Sequence, residues 1–234
     1  MQAMQSIDLT GASYSAALMG LIGTAAFLFL GTGWVKRGWK VPVALCAVAA
    51  LVGIVGLYEA RTVWLAGGTV PIVYHYVDWV ISMPVLVIAL YFYARQVGAL
   101  SIALFWRLVV TSVLMVVIRY GGEAGFVHST LAFLIGIIFW LYILGELYFG
   151  QMDEAISKAG TGPIKGGYFW LRLIVTIGWA IYPLGNFIVS FNGVTDTGAI
   201  STTYNLAEFV NRIAFGLTIL ATIVATSQEE RSNA

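Results

Sequence analysis

The stretch Tyr204-Asn-Leu-Ala-Glu-Phe-Val-Asn-Arg-Ile-Ala-Phe-Gly-Leu217 is apolar enough to lie in a bilayer, yet it carries Glu208 and Arg212 well inside it. A charge at bilayer depth costs ~2.5–3.5 kcal/mol on insertion scales, so such residues face a bundle interior and pair with something. Glu208 and Arg212 stand at i and i+4, with the acid N-terminal to the base, the favourable order for an ion pair on one helix face. A second set of ionisable groups lies in Tyr74-His-Tyr-Val-Asp-Trp-Val-Ile-Ser-Met-Pro84, where His75, Asp78 and Ser82 follow helical spacing. Two readings of that set stand side by side: a polar cluster stapling two helices, or a functional site. A third stretch, Gly178-Trp-Ala-Ile-Tyr-Pro-Leu-Gly-Asn186, puts Trp179, Tyr182 and Asn186 on one face. Aromatics at that spacing often do nothing but pack. Here, with Trp79, they flank the charged groups.

The elements that must position these residues are membrane helices. The 234-residue chain is 60% hydrophobic and 10% charged, against about a quarter charged in a soluble domain, so it reads as an integral membrane protein. Seven segments reach the ~20 apolar residues a span needs: about 13–33, 41–64, 72–94, 99–120, 126–150, 168–192 and 201–227. Turn chemistry separates them at Lys36-Arg37-Gly38, Gly67-Gly68, Arg95-Gln96, Gly121-Gly122-Glu123, Gly160-Thr-Gly-Pro163 and Asn192-Gly193. With no repeat and no low-complexity linker, the expectation is one all-α, seven-helix domain over 1–234. Pro84 is tolerated inside a span because neighbouring helices can satisfy the freed carbonyl.

Lys36, Arg37, Lys40, Arg95, Lys158, Lys165 and Arg231 all fall on one side of this arrangement. The positive-inside rule makes that side cytoplasmic, with the N-terminus outside, in a bacterial inner membrane. Met1 to Tyr14 carries no basic n-region followed by an apolar run, so no cleavable signal is expected. A formal net charge of +1 with no basic cluster argues against nucleic-acid binding. Cys46 is the only cysteine, which excludes a disulfide within the chain. The sequence offers no metal-ligand spacing, no nucleophile elbow and no phosphate loop, so no enzyme is expected. Glu146 and Arg172 read as snorkelling or interhelical pairs, and Glu59, Arg61 and Trp64 as interface anchors or protomer contacts.

Tyr76-Val-Asp-Trp79 with Pro84, Gly178-Trp-Ala-Ile-Tyr-Pro183 and Asn205-Leu-Ala-Glu-Phe-Val-Asn211 together resemble the microbial rhodopsins, in their proteorhodopsin branch. Asp8-Leu-Thr-Gly11, Gly121-Gly-Glu-Ala-Gly125 and Arg231-Ser-Asn-Ala234 extend the likeness along essentially the whole chain. The resemblance implies a seven-helix bundle, often a pentamer or hexamer. It implies that Asp78 matches the counter-ion and proton acceptor, and Glu208 the second carboxylate. Trp79, Met83, Trp140, Trp179, Tyr182, Pro183 and Asn186 would form a vestigial retinal pocket, with Trp140 too bulky for an antenna-carotenoid window. Arg212 stands where the family has the lysine that forms the retinal Schiff base. His75 replaces a usual arginine, Ala89 a usual carboxylic donor, and Gly56 a helix 2 histidine.

A Schiff base needs an amine that sheds its proton and attacks an aldehyde. Guanidinium stays protonated and its lone pairs are delocalised, so it does neither. All four lysines fall in the loops of the basic side and none substitutes. The expectation is therefore an ionic latch of Arg212 with Glu208, Asp78 and His75, no covalent retinal and no light-driven proton pumping. Three functional readings follow: a structural or interaction protein in an oligomeric assembly, resembling lysine-less and flotillin-associated rhodopsins and partnered by a flotillin or a paralogous rhodopsin; non-covalent binding of retinal or another apolar ligand with a light-sensing role; or a passive proton or ion path, including an Arg variant of a lysine-bearing pump.

Overall fold

The computed structural model describes residues 8–67, 70, 73–192 and 197–232, and of 186–192, 197 and 230–232 the backbone alone. Seven helices long and apolar enough to cross a membrane follow one another up and down. They are α1 (Leu9–Gly31), α2 (Lys40–Leu65), α3 (Val73–Arg95), α4 (Ile102–Glu123) and α5 (Ser129–Phe149, carried on by Gln151–Ala159). α6 joins Gly162–Leu173 to Trp179–Asn192 through a π-helical turn, Ile174–Gly178; α7 joins Thr197–Glu208 to Phe215–Ser232 through a second, Phe209–Ala214.

Local chemistry sets the ends. The Asp8 carboxylate accepts the Gly11 N–H at 2.8 Å and the Ser101 hydroxyl accepts the Leu104 N–H at 3.2 Å, so both helices start on a side-chain cap. Gly67 and Gly125, at φ of +76° and +79°, follow α2 and α4 in the left-handed region that only glycine enters freely. Gly121 and Gly122 do not break the chain as the sequence suggests: α4 runs through them to Glu123. A Cβ at Gly122 would lie 2.4 Å from that of Ala132, so this glycine serves the close approach of α4 and α5. α5 begins at Ser129 rather than near 126, and α6 at Gly162 rather than 168. An apolar window measures the bilayer, whereas a helix continues as an amphipathic extension beyond it.

The basic residues Lys36, Arg37, Lys40, Arg95, Lys158 and Lys165 gather at one end of the bundle, as the alternating helix directions require; the Arg231 side chain lies outside the described residues. The core between these helices holds Tyr91, Tyr93, Leu104, Leu147, Tyr168 and Phe215, all under 3% exposed. α1 packs along α2 and α7 through Tyr14, Leu21 and Leu28. The Arg172 guanidinium pairs with Asp153 at 2.9 Å and lies over the Tyr148 ring, so it makes an interhelical pair with the α5 extension, as the sequence suggests. Arg61 Nε donates to Ser15 Oγ at 3.0 Å, which ties α2 to α1.

Candidate functional site

Arg212, Asp78 and Glu208 meet in the middle of the bundle and are 3%, 7% and 4% exposed. α7 supplies Glu208 at the end of its first half and Arg212 within the π turn. The bonds of a π turn run i to i+5, so more residues fill each turn and side chains four apart come nearer to alignment. The Arg212 Nε lies 2.8 Å from Glu208 Oε2, close enough for a strong Coulombic contact though off the hydrogen-bond axis. Its Nη2 donates to Asp78 Oδ2 on α3 and, at 3.1 Å, to Ser82 Oγ one turn on. The Tyr182 hydroxyl on α6 donates to Glu208 Oε1 at 3.3 Å. One cation thus clasps two acids from two helices, and a third helix supports the second acid. Removing the Ser82 hydroxyl takes away one charge-assisted bond, so Ser82→Ala should lower stability by about 1.5–3 kcal/mol in a reversible melt; an unchanged melt would mean that the two acids hold the guanidinium without Ser82.

His75, expected in this cluster, lies within Coulombic reach of Asp78 and Arg212 but is held by ring contacts rather than by a hydrogen bond to them. Its ring stacks on Trp79 at 5.7 Å and meets Tyr204 edge-on at 5.8 Å, and among the described residues it makes no hydrogen bond to Asp78, Glu208 or Arg212.

The two π turns hold each other. Asn211 Nδ2 donates to the Gly178 carbonyl at 3.0 Å and Trp140 Nε1 to the Val175 carbonyl at 3.1 Å, so side chains satisfy main-chain groups of the α6 turn. Beside them Trp79, Met83, Trp140, Trp179, Tyr182 and Pro183 line one cavity of about 60 Å³, joined there by Met115, Arg119 and Gly136, which sequence reasoning did not single out. A crevice of about 10 Å³ between Trp79, Trp179 and Tyr182 leads from it toward Arg212. The Trp79 and Tyr182 rings touch, with centroids 4.7 Å apart and planes at 53°. The side chain of Asn186 lies outside the described residues. At the far end of the cavity Arg119 pairs with Glu123 at 3.2 Å, and the Tyr76 hydroxyl donates to the same carboxylate at 2.6 Å. That triad also escaped the sequence reading, because Glu123 was placed in a loop.

On α2, Gly53 and Gly56 face this centre. A Cβ at Gly56 would lie 3.0 Å from that of Asp78, which is the setting the sequence reading gave to the missing helix 2 side chain. Ala89 is fully buried on α3. All four lysines are exposed and stand at the basic end, away from the cavity.

A family model, bacteriorhodopsin-like protein, matches residues 8–226. The chain belongs to that family. It is 31% identical over 230 residues to the blue-light absorbing proteorhodopsin of Gamma-proteobacterium Hot 75m4, covering 97% of this chain and 89% of the relative. It is 32% identical over 234 residues to the green-light absorbing proteorhodopsin of Gamma-proteobacterium EBAC31A08, covering 99% and 91%. Among solved structures, the blue light-absorbing proteorhodopsin from Med12 superposes with a TM-score of 0.80 at 29% identity, covering 93% of this chain and 98% of that one. Exiguobacterium sibiricum rhodopsin shares the fold, with a TM-score of 0.84 at 22% identity over 94% and 97% of the two chains. The protein is a multi-pass membrane protein of the proteorhodopsin-like kind.

Proposed function

We propose that this protein is a rhodopsin-fold membrane component that forms no retinal Schiff base and pumps no protons in light, acting instead as a structural or interaction subunit of an oligomeric membrane assembly. The observation that carries the reading is the Arg212 guanidinium seated between Asp78 and Glu208. The residues present do not fit the family's chromophore. A guanidinium cannot condense with an aldehyde, and no lysine lies near the cavity among the described residues. Trp79 and Tyr182, two of the rings that would flank a polyene, are in contact with each other, with centroids 4.7 Å apart.

The size of the cavity speaks against non-covalent retinal: about 60 Å³ is well short of the ~150 Å³ that takes a benzene. An ion path is disfavoured by Leu86, Val87, Leu90, Phe215 and Ile219, which pack between the latch and the basic end without exposure above 2%. A bare ion crossing such a layer meets a desolvation cost of many kcal/mol. In this reading the basic end is cytoplasmic and the membrane is a bacterial plasma membrane. Further copies, or another membrane protein such as a flotillin or a paralogous rhodopsin, complete the assembly.

Purified protein mixed with all-trans retinal should show only the absorption of free retinal. A red-shifted visible band that survives denaturation as a bound polyene, or light-driven acidification by cells making the protein, would overturn the reading. The Arg212→Lys variant separates the two obstacles: colour in the variant assigns the block to the guanidinium alone, and its absence assigns it to the closed rings as well.

A further inference from the structure

The Arg212 guanidinium extends past the two acids and ends against α2. There the neighbour is Gly53: a Cβ at that position would lie 1.8 Å from Arg212 Nη1, 2.9 Å from Cζ and 3.0 Å from Leu21 Cδ1. The first two distances are far inside van der Waals contact, and neither atom is the free end of a side chain that can swing away. Nη2 is tied to Asp78 and Ser82, and Nε sits against Glu208. The guanidinium is planar and rigid, so Nη1 cannot shift without moving those contacts.

From this geometry we propose that Gly53 is the positioning residue for Arg212: the absence of a side chain there makes the seat that a guanidinium requires and a smaller or aliphatic group at 212 does not. Gly56, one turn on, lets the same face of α2 approach Asp78, with a would-be Cβ 3.0 Å from Asp78 Cβ and 3.4 Å from its Cγ. Glycine within a helix costs ~0.5–1 kcal/mol relative to alanine. At 53 that cost is offset by room for the cation. α2 is therefore a fourth wall of the latch, matched to the residue type at 212. The inference rests on the latch geometry and holds whether or not retinal binds.

A double-mutant cycle tests it. Gly53→Ala should lower the melting midpoint of the full-length protein by about 5 °C, from overpacking against a fixed group. In the Arg212→Met background the same change should cost at most about 1 °C, since the group it collides with is gone and contacting residues couple. Gly31→Ala is the control. Its Cβ would meet the flexible Leu220 side chain at 2.6 Å, far from residue 212, so its effect should be the same in both backgrounds. A merely structural glycine would leave the cation undisturbed, so the guanidinium is read directly by nitrogen-15 NMR. The slowly rotating, ion-paired Arg212 signals should be present in the parent and in Gly31→Ala, and shifted or lost in Gly53→Ala. If Gly53→Ala does not fold alone, its rescue by Arg212→Met supports the proposal. Equal losses in the two backgrounds, unchanged guanidinium signals, or a double variant that also fails to fold would overturn it.

Discussion

Replacing Arg212 by methionine should destabilise the bundle by about 3–5 kcal/mol, because it leaves two carboxylates buried without their cation. Asp78 and Glu208 are 7% and 4% exposed, and both lean on the one guanidinium. For a chain of this size the loss amounts to a fall in Tm of roughly 10 °C. The same change in a surface ion pair would cost about 0–1 kcal/mol. The pair Lys158 and Glu154, with side chains 74% and 60% exposed, supplies that comparison within the same molecule. Lys158→Met should leave the melt where it was.

Most of the loss should return when the acids are neutralised as well. Asp78→Asn and Glu208→Gln, added to Arg212→Met, replace an uncompensated charge cluster with neutral amides, and the one at 208 can still accept from Tyr182. Buried ion clusters exchanged whole for neutral groups are often stability-neutral, whereas breaking one member is costly. A single variant that melts like the parent would show that water already reaches the acids. A triple variant no more stable than the single would place the loss in packing of the arginine stem. Arg212→Lys should fall between: it keeps the charge but replaces a planar fork with a point charge that cannot address both carboxylates and Ser82 in one geometry.

Several of these contacts are legible in the sequence alone. Seven apolar windows of about 20 residues announce seven spans, since no other structure satisfies the backbone in lipid so simply. The Glu208 and Arg212 pairing follows from i, i+4 spacing, and the facing Asp78 and Ser82 follow from their shared helix face. Helical periodicity groups His75 with Asp78 but does not say that its ring packs on Trp79 and Tyr204. It also carries no mark of the π turns at Ile174–Gly178 and Phe209–Ala214, the first of which is held by Asn211 and Trp140 from other helices. Gly53 was silent for a like reason. A glycine on a lipid-spanning helix has many uses, and only the approach of α7 to α2, far apart in sequence, shows which one applies. The Arg119, Glu123 and Tyr76 triad was hidden by a misplaced helix end.

Trp79→Ala should be comparably damaging and should create a binding site. The indole is 4% exposed and meets Tyr76, Tyr182 and Tyr204 with centroids 5.2, 4.7 and 5.7 Å away. Truncating a buried tryptophan costs about 3–5 kcal/mol, the larger end applying where neighbours cannot collapse. Collapse is restricted here: Tyr182 is held by Glu208, and the Tyr204 hydroxyl is held by the Tyr182 carbonyl at 3.2 Å. The vacated volume therefore joins the cavity of about 60 Å³ through the narrow crevice that the indole now closes. An apolar hole approaching ~150 Å³ accepts benzene, and a ligand that binds only the folded state raises Tm in proportion to RT ln(1 + [L]/Kd). Benzene should thus raise the Tm of Trp79→Ala and leave the parent unmoved. A loss below about 1 kcal/mol would mean that the rings close over the gap. A full loss without a response to benzene would mean that water enters from the Arg212 side, and the apolar cage would then be sealed from the latch by this one indole.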